Sequence, residues 1–146
     1  MARFRATAIV AGLPRHVAER ELAIAREELV DPECSLVELA HGPHNVFMAE
    51  VELSSGAREL TITHGRKGYP AEEVANDAID ALDDYVESGV PVGAHLADQL
   101  LLPFAAAGGG RSRTGALSLH ATTNIDTIRA FLDVPIRVDG DLIAFG

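Results

Sequence analysis

The stretch His95–Asn124, HLADQLLLPFAAAGGGRSRTGALSLHATTN, decides how the rest of the chain is read. Its first part, His95 to Ala107, spaces Leu96, Leu100, Leu101, Phe104 and Ala105 so that they form one apolar face of a helix. Asp98 and Gln99 then fall together on the opposite edge. Pro103 lies inside that pattern and predicts a kink or an early stop, because its ring removes an N–H and crowds the preceding turn. Gly108, Gly109 and Gly110 follow and release the backbone for a close approach to another group. Arg111 to Leu119 alternates roughly as a strand, which would deliver Ser118, Leu119 and His120 just before a helix start at Thr122 or Thr123. A polar, nucleophilic cluster would thus face a glycine turn and two arginines, Arg111 and Arg113, groups suited to holding phosphate.

Upstream, Arg3 to Ala11 alternates as a strand with Phe4, Ala6, Ala8 and Val10 on one side. Pro14 suits the first turn of a helix that runs to about Leu29, burying Val17, Ala18, Leu22, Ala25 and Leu29 before Asp31-Pro32 stops it. Three strand-like runs follow, Ser35 to Ala40, Val46 to Leu53 and Arg58 to His64, the last two joined at Ser54-Ser55-Gly56. Pro70 opens a second helix whose first-turn acids, Glu72 and Glu73, match the positive end of the helix dipole. Its predicted buried face is Val74, Ala78, Leu82, Tyr85 and Val86, and its acids Asp77, Asp80, Asp83, Asp84 and Glu87 read as a solvated face. Ser88 to Gly93 is a Gly/Pro link. The pattern before it predicts a small sandwich of two helices on four strands. After His120 the pattern predicts a helix to Leu132 and two strands, Pro135 to Val138 and Leu142 to Phe145.

Composition narrows the class. The 146 residues are 47% hydrophobic, enough for a core, and no apolar run is long enough to cross a membrane. With no signal-peptide pattern at Met1 to Val10, the chain is expected to be cytoplasmic. Cys34 is the sole cysteine, which excludes an internal disulfide or a cysteine-rich zinc site and reads as a buried small apolar residue. The net charge of -10 is the wrong sign for holding nucleic acid by a general field. Either the cytoplasm is very salty, so that an acidic surface stays hydrated and repulsion is screened, or any nucleic-acid contact uses a local basic patch, with Arg111 and Arg113 as candidates, or another polypeptide.

The run Leu96–Pro103 (L-A-D-Q-L-L-L-P), the glycine turn, and His120 with Thr123-Asn124 resemble the C-terminal part of the RNA 3'-terminal phosphate cyclases. Ala11–Glu21 and Phe131–Arg137 extend the resemblance to nearly the whole chain. The fold it implies is α+β: residues 1–90 as the family's inserted small domain of four strands and two helices, and residues 91–146 as an incomplete α/β cyclase repeat carrying the nucleophilic histidine. In the family a first strand of that repeat precedes the inserted domain. Its absence here implies an open sheet edge that needs a partner surface, either a separate N-terminal cyclase polypeptide or self-association.

The chemistry implied by the resemblance centres on His120. From pattern alone, a histidine ending a strand is more often a packing or capping residue, and the matched context is what assigns it as a nucleophile. A neutral imidazole can attack the α-phosphate of ATP, and the AMP so captured would pass to an RNA 3'-phosphate for closure by the neighbouring 2'-hydroxyl. His95, Leu96, Ala97, Asp98 and Gln99 correspond to the family's nucleotide-contacting segment; position 95 is often aromatic there, and a histidine keeps a flat ring able to stack on a base. The implied cofactors are ATP and Mg2+, the implied partner an RNA with a 3'-phosphate end, and no metal ligand is assigned in this chain. The alternative the resemblance leaves open is a non-catalytic cyclase-like scaffold in RNA processing or ribosome assembly.

Overall fold

A computed structural model of the chain describes residues 2–146, which form two units, a first ending at Glu87 and a second, Ser88–Gly146. The sequence reading put this boundary between Val90 and Pro91. Val90 is buried and follows the break.

In the first unit β1 (Arg3–Ala11), α1 (His16–Glu28), β2 (Glu33–Leu39), β3 (His44–Glu52), β4 (Arg58–His64) and α2 (Ala71–Ser88) follow in order. The sheet order is β2-β1-β3-β4, with β1 parallel to β2 and the other neighbours antiparallel. A parallel pair needs a crossover, and α1 supplies it. Alternation along β1 and β3 turns Ala6, Ala8, Val10, Phe47, Ala49 and Val51 into one core with α1 and α2. Small alanines at the centre of β1 let the helices come close, and Phe47 fills the remaining volume without solvent exposure. Thr61 on β4 donates its hydroxyl to the Ala78 carbonyl at 2.7 Å, tying α2 to the sheet.

Four expectations change here, the first being Val17, which is half-buried at the margin of the core. Val86 is exposed, because the buried stripe of α2 runs through Val74, Ala75, Ala78, Ile79, Leu82 and Tyr85 and has turned away by position 86. Cys34 is half-buried rather than buried, since β2 is an edge strand packed from one side. Glu21, absent from the predicted core, is completely buried on α1.

The second unit contains α3 (Ala94–Ala107), β5 (Gly110–Arg113), α4 (Leu119–Phe131), β6 (Ile136–Asp139) and β7 (Leu142–Phe145). Its sheet order is β5-β7-β6, all neighbours antiparallel, so β5 and β6 run parallel to each other with α4 as the connection between them. Leu101, Ala105, Ala121, Ile125, Ile128, Ile136, Ile143 and Phe145 make its core. α3 continues through Pro103 instead of stopping there. Pro103 and Gln99 are both exposed, so the Gln99 carbonyl that loses its helical donor can turn to water.

Candidate functional site

The glycine triplet is a helix terminator. Gly108 caps α3 in the left-handed conformation, φ 69°, and the Gly108 and Gly109 amides donate to the Ala105 and Phe104 carbonyls at 3.1 Å. Gly110 starts β5 against the Phe104 ring, where a Cβ would come within 2.5 Å of a ring carbon. The close approach expected at this turn is therefore made to the chain's own aromatic ring. β5 is also shorter than predicted, ending at Arg113.

α4 begins at Leu119, before the Thr122 or Thr123 start read from sequence, because Ser118 is its N-cap and the Ser118 Oγ accepts from the Ala121 N–H at 3.1 Å. The consequence for His120 is direct. It lies in the first turn of a helix, exposed, rather than at the end of a strand. Backbone N–H groups of that turn point out of the helix end, and the dipole there favours negative charge.

His95 occupies the same kind of position on α3, exposed in its first turn. Leu96 and Gln99 are exposed beside it, whereas the Ala97 side chain is packed in the interior and its N–H donates to the Gly93 carbonyl at 2.9 Å. Asp98 is half-buried and accepts from the Asn124 Nδ2 at 3.2 Å on its carboxylate, with a second, longer approach of 3.4 Å to its carbonyl. That contact joins α3 to α4. His95 precedes Asp98 by three residues and His120 precedes Asn124 by four, so each histidine sits about one turn ahead of the linked pair on the same side of its helix. The structure thus brings Asp98 together with Asn124. Asn124 joins the candidate site through this contact, and the signal for it in the sequence is its one-turn spacing from His120.

The two arginines differ. Arg113 is engaged by Asp141, with Nε at 3.0 Å and Nη2 at 2.6 Å from Oδ2, and this pairing holds the Asp141 carboxyl below its usual range. Its guanidinium is committed within the unit. Arg111 is exposed on β5 and has no ion pair among the described residues, which leaves it as the better phosphate candidate of the two. Among the described residues no group of three or more His, Cys, Asp or Glu side chains is placed to hold a metal ion, and no helix is long and apolar enough to cross a membrane.

Comparison with known proteins places the chain in a family. Residues 1–87 match the insert domain of RNA 3'-terminal phosphate cyclase (RTC). A protein from Ectopseudomonas mendocina named RNA 3'-terminal phosphate cyclase is 45% identical over 136 residues, covering 90% of this chain and 40% of its own length. Proteins of the same name from Pseudomonas fluorescens and Salmonella paratyphi C are 43% and 37% identical over 139 residues, covering 92% and 94% of this chain and 40% of their own lengths. The chain therefore spans about 40% of the length of the curated relatives it matches, and the match runs across both of its units. With the insert-domain match covering its first unit and these relatives aligned along most of both, the chain belongs to the RNA 3'-terminal phosphate cyclase family.

Proposed function

We propose that this chain supplies the C-terminal part of an ATP-dependent RNA 3'-phosphate cyclase, with His120 as the nucleophile. The observation that carries the reading is the pairing of Asp98 with Asn124, which sets the two motif helices side by side with His95 and His120 exposed one turn ahead of it. A ring nitrogen of His120 attacks the α-phosphorus of ATP, forming an N–P bond as the bond to pyrophosphate breaks. An oxygen of the RNA 3'-phosphate then takes the AMP, restoring the imidazole. The 2'-hydroxyl finally attacks the activated phosphorus, loses its proton, and expels AMP to leave a 2',3'-cyclic phosphate. Activation is required because a phosphate monoester is a poor electrophile until it carries a leaving group.

Each residue of the segment has a task it can perform. The first turn of α4 presents outward N–H groups beside His120, which favours an anionic phosphate there. His95 offers a flat ring for stacking on a base, with Leu96 and Gln99 exposed next to it. Asp98 acts through Asn124, holding α4 in register with α3, and Ala97 packs the segment against the interior. Among the described residues no group of three or more His, Cys, Asp or Glu side chains is gathered, and no step is assigned to Mg2+ on this chain.

A partner belongs to the same proposal. β5 and β6 are each paired along their length on one side only, with β7, and Leu119 and Phe131 on α4 are 84% and 83% exposed. Strand edges left unpaired and exposed apolar side chains on α4 both support a binding surface for the part of a cyclase that lies outside the matched region. The test mixes the purified chain with the part of the Ectopseudomonas mendocina relative that precedes the matched region, together with ATP, Mg2+ and an RNA bearing a 3'-phosphate. Cyclic ends should form in the mixture and at trace level or not at all with either piece alone. Multiple turnovers by this chain alone would refute the need for a partner, and a mixture as inactive as its parts, beside an active full-length relative, would refute the proposed role.

A further inference from the structure

Glu21 is the one acidic side chain buried completely among the described residues, and neither its helix nor its sheet supplies a counter-charge in contact with it. Its Oε2 accepts from the Asn45 Nδ2 at 3.1 Å, and its Oε1 is buried with no hydrogen-bond partner. Asn45 cannot readily turn to serve both oxygens. The Asn45 Oδ1 lies so close to Gly65 that a Cβ there would approach to 2.2 Å, and the Asn45 carbonyl accepts from the Gly65 N–H at 2.9 Å. The amide is thus held between the end of β3 and the residue after β4.

The groups around Glu21 compensate its charge only weakly, and the Glu72 carboxylate adds to the cost of ionising it. Arg20, its neighbour on α1, points to Glu72 of α2 instead, with Nε 2.6 Å from a carboxylate oxygen. Along the helix-facing sides of the two central strands stand Phe4, Ala6, Ala8 and Val10 of β1 and Asn45, Phe47, Ala49 and Val51 of β3, none of them ionisable. On β2, Glu38 is held at the surface by Arg15, which also pairs with Glu19. Glu59 of β4 faces Tyr85 at the opposite end of the sheet, opposite Val51 rather than Asn45. A buried carboxylate with one amide donor and an orphan oxygen is costly when ionised and much less so when neutral.

We propose that the Glu21–Asn45 contact is a proton-operated latch: a neutral Glu21 holds α1 against β3, and an ionised one loosens that contact, so the first unit responds to the proton concentration around it. Burial pushes the carboxyl up to about 7, against the opposing pull of the Asn45 hydrogen bond and the Arg20 charge. The folded state therefore holds a proton that the unfolded chain has released. Stability contributed by this group is full below the ordinary glutamate range, falls as pH rises toward about 7, and levels off above it.

Tyr69 and Tyr85, the only two tyrosines in a chain without tryptophan, both lie in the first unit and report on it alone. Urea unfolding of the whole chain, followed by tyrosine fluorescence between about pH 5 and pH 8, should show the unfolding constant rising about a hundredfold more in wild type than in Glu21→Gln. Parallel pH curves for the two proteins would overturn the latch. A glutamine at this position keeps the acceptor for Asn45, yet should the variant fail to fold, the Glu21 carboxyl resonance of wild type, assigned through its backbone, decides. A midpoint near 7 sustains the proposal, and one in the ordinary glutamate range overturns it.

Discussion

The two units of this chain use the same elements to different ends. In the first, both helices cover one face of the sheet and Ala6, Ala8, Phe47, Ala49 and Val51 have no solvent exposure at all. In the second, the core is drawn from two helices and a three-stranded sheet of short strands, while Leu119 and Phe131, at the two ends of α4, stay largely in solvent. The difference teaches where sequence is free to serve something besides the fold. The first unit buries the helix-covered face of its sheet and leaves Val37, Leu39, Leu60 and Ile62 of its outer strands exposed, and the second leaves His95, His120 and two large apolar side chains of α4 unburied.

That contrast can be broken most forcefully through the cores. Phe47→Ala should lower the stability of the first unit by about 3–5 kcal/mol, seen as an earlier tyrosine-detected urea transition. Leu101→Ala should cost the second unit about 2–5 kcal/mol while leaving the tyrosine signal where it was. A tyrosine transition that moves equally in both variants would mean a single cooperative unit. A smaller effect sharpens the picture of α4. Ser118→Ala removes the N-cap acceptor and should cost about 1 kcal/mol, read as faster amide exchange in residues 119–123 with β1 and β3 unaffected.

The sequence made the first unit readable because strand alternation and helix stripes there answer to one buried face each. Arg3–Ala11 and Arg58–His64 fall where the pattern puts them. What escaped notice had a competing signal. Glu21 stands between Ala18 and Ala25 on the very stripe that defines the buried face of α1, and its charge disguised a position that spacing marked as interior. In the second unit, the roughly alternating run Arg111–Leu119 looked like one strand, and the stronger rule was the serine cap at Ser118. Pro103 does not end α3, and nothing in the sequence says that the affected carbonyl faces water. The proposed roles of His120 and the His95–Gln99 segment rest on resemblance to the cyclases, since an exposed histidine carries no periodicity of its own. The Asp98–Asn124 link needed the structure, because residues so far apart in sequence meet only when α3 and α4 pack.

The central proposal is that His120 takes up the nucleotide. The measurement that reaches it directly is transfer of label from α-labelled ATP to the chain, with Mg2+ and the complementing polypeptide present, for wild type, His120→Ala and His95→Ala. Wild type should acquire an acid-labile, alkali-stable label that maps by mass spectrometry to His120, His95→Ala should retain it at reduced yield, and His120→Ala should have none. Label of undiminished yield in His120→Ala would contradict the account.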